Sequence, residues 1–352
     1  MSHGDATETG GDHLYRAVDA YYGVRRTGRA IDARFRKWER RHGARALRYS
    51  LAFVFFWFGI TKPLAISPAD QVVRPTLAST PILNELISFR LFFQALGWWE
   101  ALVGLGLLWK RTVRVAVACM CVQMASTFTP LFVIPTETFH WWPLVPSAPG
   151  LYIIKNFALA TAGLAVVSLD SEPLFERSRT RRFRLTGSPA TGLRKRIEGV
   201  LATGRRVLRA MSSRVTVGSL HMGLGLVFVW SGMLMVSASP TPGQWVASVV
   251  PNSLIADSVF IPLLGVLELA IGLYLLIPGS RATHAAAYLC VGYVGVTMLP
   301  VVFAPSEVFA TVPFEPTFEG VYIFKDLILV TGVLTVDAYL GDGGPGDDGD
   351  DA

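Results

Sequence analysis

Long apolar runs separated by short polar stretches dominate the chain. Eight of them, at about 48–66, 91–109, 113–134, 150–169, 216–236, 259–277, 282–303 and 319–340, approach the ~20 residues that carry a helix across a bilayer core. None shows the period-two alternation of a barrel strand. The pattern predicts an all-α membrane protein with eight transmembrane helices.

Composition agrees. Of 352 residues, 51% are hydrophobic and 16% charged, against roughly 25% charged in soluble domains. The net charge of +6 acquires meaning only once it is located. Of the 32 Lys and Arg, 11 precede or open the first run and 12 lie at 171–215; Lys110, Arg111, Arg114 and Arg281 fall in connections on that same face. The opposite loops hold Arg74 and Arg90. This asymmetry predicts a multi-pass protein of the cell membrane with both termini cytoplasmic, and it makes the basic charge a topology signal, not a nucleic-acid footprint. The first 45 residues are polar, so no cleavable signal peptide is expected and the first span would act as the anchor. Cys119, Cys121 and Cys290 lie in spans without a CxxC pair and read as small buried apolar side chains.

The runs repeat in order. "LAFVFFWFG" (51–59) matches "LGLVFVWSG" (224–232), and "GWWEALVGLGLL" (97–108) matches "GVLELAIGLYLL" (265–276). "TPLFVIPTETF" (129–139) matches "LPVVFAPSEVF" (299–309), and "LYIIKNFAL" (151–159) matches "VYIFKDLIL" (321–329). The offset stays near 170 residues. Four spans per copy give both copies the same orientation, so the expected architecture is two tandem four-helix bundles in parallel. The expected organisation is a basic N-terminal segment (1–45), a first membrane repeat (46–170), a basic cytoplasmic linker (171–215), a second repeat (216–340) and a disordered acidic tail (341–352). The stretch 193–211, and more roughly Leu14 to Trp38, reads as a basic amphipathic helix for an anionic membrane surface, with a solvated cytoplasmic helix or linker as the alternative for both.

Each copy also hides an acid and an amine. Glu100 and Glu268 lie near the centres of spans two and six; Lys155 and Lys325 lie near the outer ends of spans four and eight. At 1.5 Å per residue, Glu100 is about 14 Å and Lys155 about 8 Å below the outer surface, a gap that a flexible lysine bridges. Each charge alone costs roughly 2.5–3.5 kcal/mol to insert. Pairing Glu100 with Lys155, and Glu268 with Lys325, is therefore expected. Three roles stay open: lysines that snorkel to the headgroups, pairs that only fix helix register, or catalytic groups that handle protons or a polar headgroup. Asn156 and Asp326 follow the lysines; adjacent residues face different ways, so Asp326 is not automatically the partner of Lys325. The outer loops 135–150 and 305–320 carry equivalent Glu137 and Glu307 and the aromatics Trp141, Trp142, Phe309 and Phe314, read as an interfacial belt with a cleft roof as the alternative. Trp57 and Trp230 are equivalent, with packing as their default role. The six histidines show no metal spacing, so no metal is expected, and no P-loop, HExxH or GxGxxG occurs.

The four-span unit resembles the DoxX/DoxD-like membrane proteins, in "SLAFVFFWFGITK", "WWEALVGLGLL" and a fourth span opening "YIIKNFAL" or "YIFKDLIL". The resemblance covers about 46–170 and 217–340. It implies a membrane subunit of a redox or oxidative-stress system, loosely quinone-linked. Site residues at Glu100, Lys155, Glu268 and Lys325, with Trp57, Trp230, Glu137 and Glu307 as cofactor contacts, and lipid or other membrane redox subunits as partners, go with that reading. Two departures stand out: the family usually has one unit, and the cysteine pair of related thiol oxidoreductases is missing. A non-catalytic scaffold, or a carrier using the groove between copies, are the other function classes in play.

Overall fold

The computed structural model describes residues 8–80, 85–169, 213–237, 246–247, 256–277 and 279–340. The amphipathic stretch expected at 193–211 and the acidic tail at 341–352 lie outside them. The described chain is overwhelmingly helical. Six helices are long and apolar enough to cross a membrane: Phe89–Leu108, Val113–Val133, Pro149–Leu169, Ser213–Ser237, Asp257–Leu276 and Ser280–Phe303. The protein is an all-α, multi-pass membrane protein by that measure, and its outward apolar side chains are its contact with lipid.

Two units divide the chain, Met1–His42 and Gly43–Ala352. In the first, helix α1 (Glu8–Thr61) begins; Asp32 and Arg36 pair across one turn at 3.3 Å, and Ile31 and Trp38 are exposed.

The second unit holds the remaining elements. In its first half, the end of α1 is followed by α2 (Asp70–Ala78), α3 (Phe89–Leu108), α4 (Val113–Thr127), the short α5 (Pro130–Val133) and α6 (Pro135–Thr138), strands β1 (Phe139–Trp141) and β2 (Val145–Pro146), and α7 (Ala148–Leu169). In its second half come α8 (Ser213–Ser237), α9 (Asp257–Leu276), α10 (Ser280–Thr297), α11 (Leu299–Phe303), α12 (Pro305–Val308), β3 (Phe309–Thr311), β4 (Glu315–Pro316) and α13 (Phe318–Leu340).

Neighbours follow the same order in each half. α3 packs on α4 and α4 on α7; α9 packs on α10 and α10 on α13. The crossings of α1 with α3 and of α8 with α9 are backbone against backbone. A Cβ on Gly59 would strike the backbone of Ala101 and Gly97, and one on Gly232 the backbone of Gly265 and Leu269. Small residues at such crossings allow the close approach that van der Waals packing between membrane helices needs.

Helices also cross between halves. Phe53 and Trp57 of α1 meet Phe324 of α13, with ring centroids 6.1 and 4.7 Å apart, while α8 packs on α7. The first helix of each half therefore lies on the last helix of the other. The last helices, α7 and α13, are the most enclosed parts of the unit, and α13 buries Lys325, Asp326 and Asp337.

The outer connections match closely. β1 and β2 pair antiparallel with Phe139 opposite Pro146, and β3 and β4 with Phe309 opposite Pro316. Trp142–Pro143 and Val312–Pro313 are cis. Ser147 Oγ donates to the Glu137 carbonyl at 2.6 Å and accepts from the Gly150 amide at 3.2 Å. Thr317 Oγ1 repeats both bonds, to Glu307 and Gly320, at 2.7 and 3.0 Å. Each hydroxyl thus stitches a hairpin to the start of the last helix. Trp141, Trp142 and Phe314 are exposed, as belt residues would be; Phe309 is buried instead, because Trp57 and Phe324 cover it.

Candidate functional site

The buried charges group where α7 and α13 meet. Lys155 is fully enclosed and donates to Asp326 Oδ1 at 2.6 Å. Its Nζ also lies 3.5 Å from the centroid of the Tyr322 ring. Lys325 repeats the arrangement in mirror fashion. It donates to Asn156 Oδ1 at 3.1 Å and to the Tyr152 carbonyl at 3.3 Å, and sits 3.4 Å from the centroid of the Tyr152 ring. Each lysine is held by the Tyr-x-x-Lys-Asn/Asp stretch of the other half. The aromatic faces add cation–π attraction in a site without water screening.

The pairing expected inside each half is therefore corrected. Glu100 does not pair with Lys155, nor Glu268 with Lys325. Because α7 and α13 face each other, the lysines reach across, and the glutamates find other partners. Glu100 forms a salt bridge with Lys62, at the end of α1, and accepts from Gln123 Nε2 at 2.6 Å. Glu268 has no lysine on it; its Oε1 accepts from Ser231 Oγ at 2.8 Å and Tyr293 Oη at 2.5 Å, and its Oε2 has no partner among the described residues. Lys62, Lys155 and Lys325 are all buried within protein, which speaks against the snorkelling reading.

A threonine beside each amide or carboxylate completes the match. Asn156 Nδ2 donates to Thr127 Oγ1 at 3.2 Å, and Thr297, the equivalent of Thr127, lies beside Asp326 with its hydroxyl donating to the Val294 carbonyl at 3.3 Å. The charges sort into two groups. Lys62, Glu100 and Lys325 line a common space, whereas the Lys155–Asp326 pair and Glu268 lie off it.

One group opens on a cavity of about 270 Å³. Its inner wall carries Lys62, Glu100, Tyr152, Asn156 and Lys325, and its remaining wall is mostly apolar, with Phe55, Phe58, Phe92 and Leu96 among the lining. Helix α2 lies over it and contributes Val72, Val73, Thr76 and Leu77. α2 is amphipathic: Val72 and Leu77 are buried, while Asp70 and Arg74 pair across one turn on the outside at 3.8 Å. Of the eight residues singled out in the sequence, Glu100 and Lys325 line this cavity, and Lys155 and Glu268 lie in the other charge group. Trp57, Trp230, Glu137 and Glu307 line neither. Trp57 donates from Nε1 to the Phe314 carbonyl at 3.3 Å and stacks among aromatics; Trp230 packs on Leu151, Leu234 and Tyr322; the two glutamates are exposed.

Sequence reasoning missed Lys62 as a partner, although it stands out as a cation at the end of an apolar run. It also missed Gln123 and Tyr293, equivalent polar positions on α4 and α10, and the tyrosines three residues before each lysine. Compared with known proteins, the chain matches no family model, no curated protein and no solved structure.

Proposed function

We propose that this chain is an eight-span, tandemly duplicated protein of the cell membrane, of the DoxX-like kind, acting as a quinone-linked subunit of a redox or oxidative-stress system. The two spans of that count beyond the six apolar helices are the first, at the end of α1, and the eighth, α13. Both are helical, and three of the four charged residues of α13 are shielded by protein. The matching hairpins, glycine crossings and lysine cradles support the duplication, and the charge asymmetry between loops supports cytoplasmic termini.

The observation that carries the functional reading is the cavity. Its volume, about 270 Å³, is near the low end of small-molecule pockets, roughly 300–1,000 Å³, and suits a ring more than a long chain. Apolar walls accept the ring faces, and Lys62 and Lys325 offer donors to its oxygens. Reducing such a ring to a quinol takes two electrons and two protons. Glu100, held by Lys62 and Gln123, is placed to pass a proton, and a partner redox subunit would deliver the electrons. Mass spectrometry of small molecules retained after gentle detergent extraction tests this reading. A retained quinone, lost in Phe58→Trp, which fills the cavity, is the expected result; an extract with no ring compound at any level would overturn it.

A second reading, a scaffold, is favoured by the Lys155–Asp326 pair, which touches no part of this cavity and clamps α7 to α13. Stable partner proteins in an extract free of small molecules would support it.

A further inference from the structure

The polar groups of the two lysine cradles differ at one position, and the difference leaves one amine without a carboxylate. In the second half Asp326 answers Lys155; in the first half Asn156 stands in the same place opposite Lys325. Among the described residues no carboxylate pairs with Lys325. On the cavity wall Lys62 and Glu100 pair, and Lys325 is the amine left there without a carboxylate among the described residues. Lys325 is buried, with 3% of its surface exposed, and its neutral partners, an amide oxygen, a carbonyl and a tyrosine ring, orient it without neutralising it. The protonated form of such an amine is costly unless an anion meets it, and the cradle borders the cavity.

We infer that the cavity selects an occupant with an apolar body and an anionic oxygen at its head, an ionised ring hydroxyl or a carboxylate, which Lys325 takes up in the place where the other half carries Asp326. This rests on the reading of the cavity as a ring-binding site and narrows it: an acidic ring compound is favoured over a neutral one of the same size. The sequence supplies the control, since Asn156→Asp would install the missing carboxylate at unchanged volume and close the cradle from within. Thr127 would remain beside it, as Thr297 is beside Asp326.

The test uses the full chain in detergent and measures dissociation constants for three probes: 2-hydroxy-1,4-naphthoquinone, ionised at neutral pH, its near-isostere 2-methyl-1,4-naphthoquinone, which is neutral, and dodecanoate, an anion without a ring. The hydroxy compound is expected to bind about tenfold more tightly than the methyl compound or better, as a charge-assisted hydrogen bond warrants. Asn156→Asp and Lys325→Met, which close or remove the unanswered amine by opposite routes, should each erase that preference, the hydroxy compound losing about tenfold more affinity than the methyl compound loses. Equal affinities for the two rings in the unaltered chain would overturn the inference and leave the ring-binding reading standing; so would a preference that survives both variants. Dodecanoate binding as tightly as the hydroxy ring would uphold the anion preference and overturn the ring reading. Failure of all three probes to bind would overturn both.

Discussion

Two cradles built from nearly the same five residues serve opposite ends. Around Lys155 the ammonium, the Asp326 carboxylate and the Tyr322 ring form a closed, neutral contact deep between α7 and α13. Around Lys325 the same geometry holds an ammonium, an amide and the Tyr152 ring beside a cavity. Among the side chains that meet the lysines, one oxygen in place of one nitrogen separates them. The lesson is that a buried charge in a membrane protein is read by what answers it: an internal counter-charge makes a clamp, and its absence beside a cavity leaves the place that we assign to a ligand's anionic oxygen.

The comparison breaks most visibly at Asp326. Asp326→Asn would give both lysines neutral partners and leave Lys155 enclosed without a counter-ion. A loss of about 3–5 kcal/mol is expected, the usual cost of orphaning one member of a buried pair. It would be read as a lowered denaturation midpoint in detergent, whereas Asn156→Asp should not lower that midpoint. Similar losses from the two changes would show that the halves do not differ as described.

A smaller effect tests where the halves are alike. Gly59→Val and Gly232→Val each force a side chain into a backbone crossing, and each should cost about 1–3 kcal/mol, a typical overpacking penalty. The two losses should agree; a large change in only one would deny that the crossings are equivalent. Smallest is the contrast between the glutamates. Glu100→Gln leaves Lys62 without its carboxylate and should cost about 1–2 kcal/mol. Glu268→Gln should be nearly neutral, because an amide oxygen still accepts from Ser231 and Tyr293 and Oε2 has no partner to lose. Equal losses would point to a cation near Glu268.

Much of this could be read from the chain. Apolar run length placed the helices, and Glu100, Lys155, Glu268 and Lys325 stood out because charge in an apolar run is costly. The partners were illegible because depth along a helix says nothing about which helix lies opposite. Lys155 at the right depth for Glu100 still points at Asp326, since α7 faces α13. Lys62 sits just past the end of α1, where the pattern blurs into a turn, so its bond to Glu100 had no periodic signal. The cavity depends on α2, a short polar-faced helix that hydropathy passes over. Phe309, matched in sequence to Phe139, is buried only because Trp57 happens to lie above it.

The crossed cradles have a consequence for how such a protein can vary. A pair of identical separate subunits meeting in this way would be obliged to present the same residue to both lysines, acid twice or amide twice. Joining the halves in one polypeptide lifts that obligation. One side can keep its carboxylate for cohesion while the other gives it up to a guest, and neither change has to be endured by both.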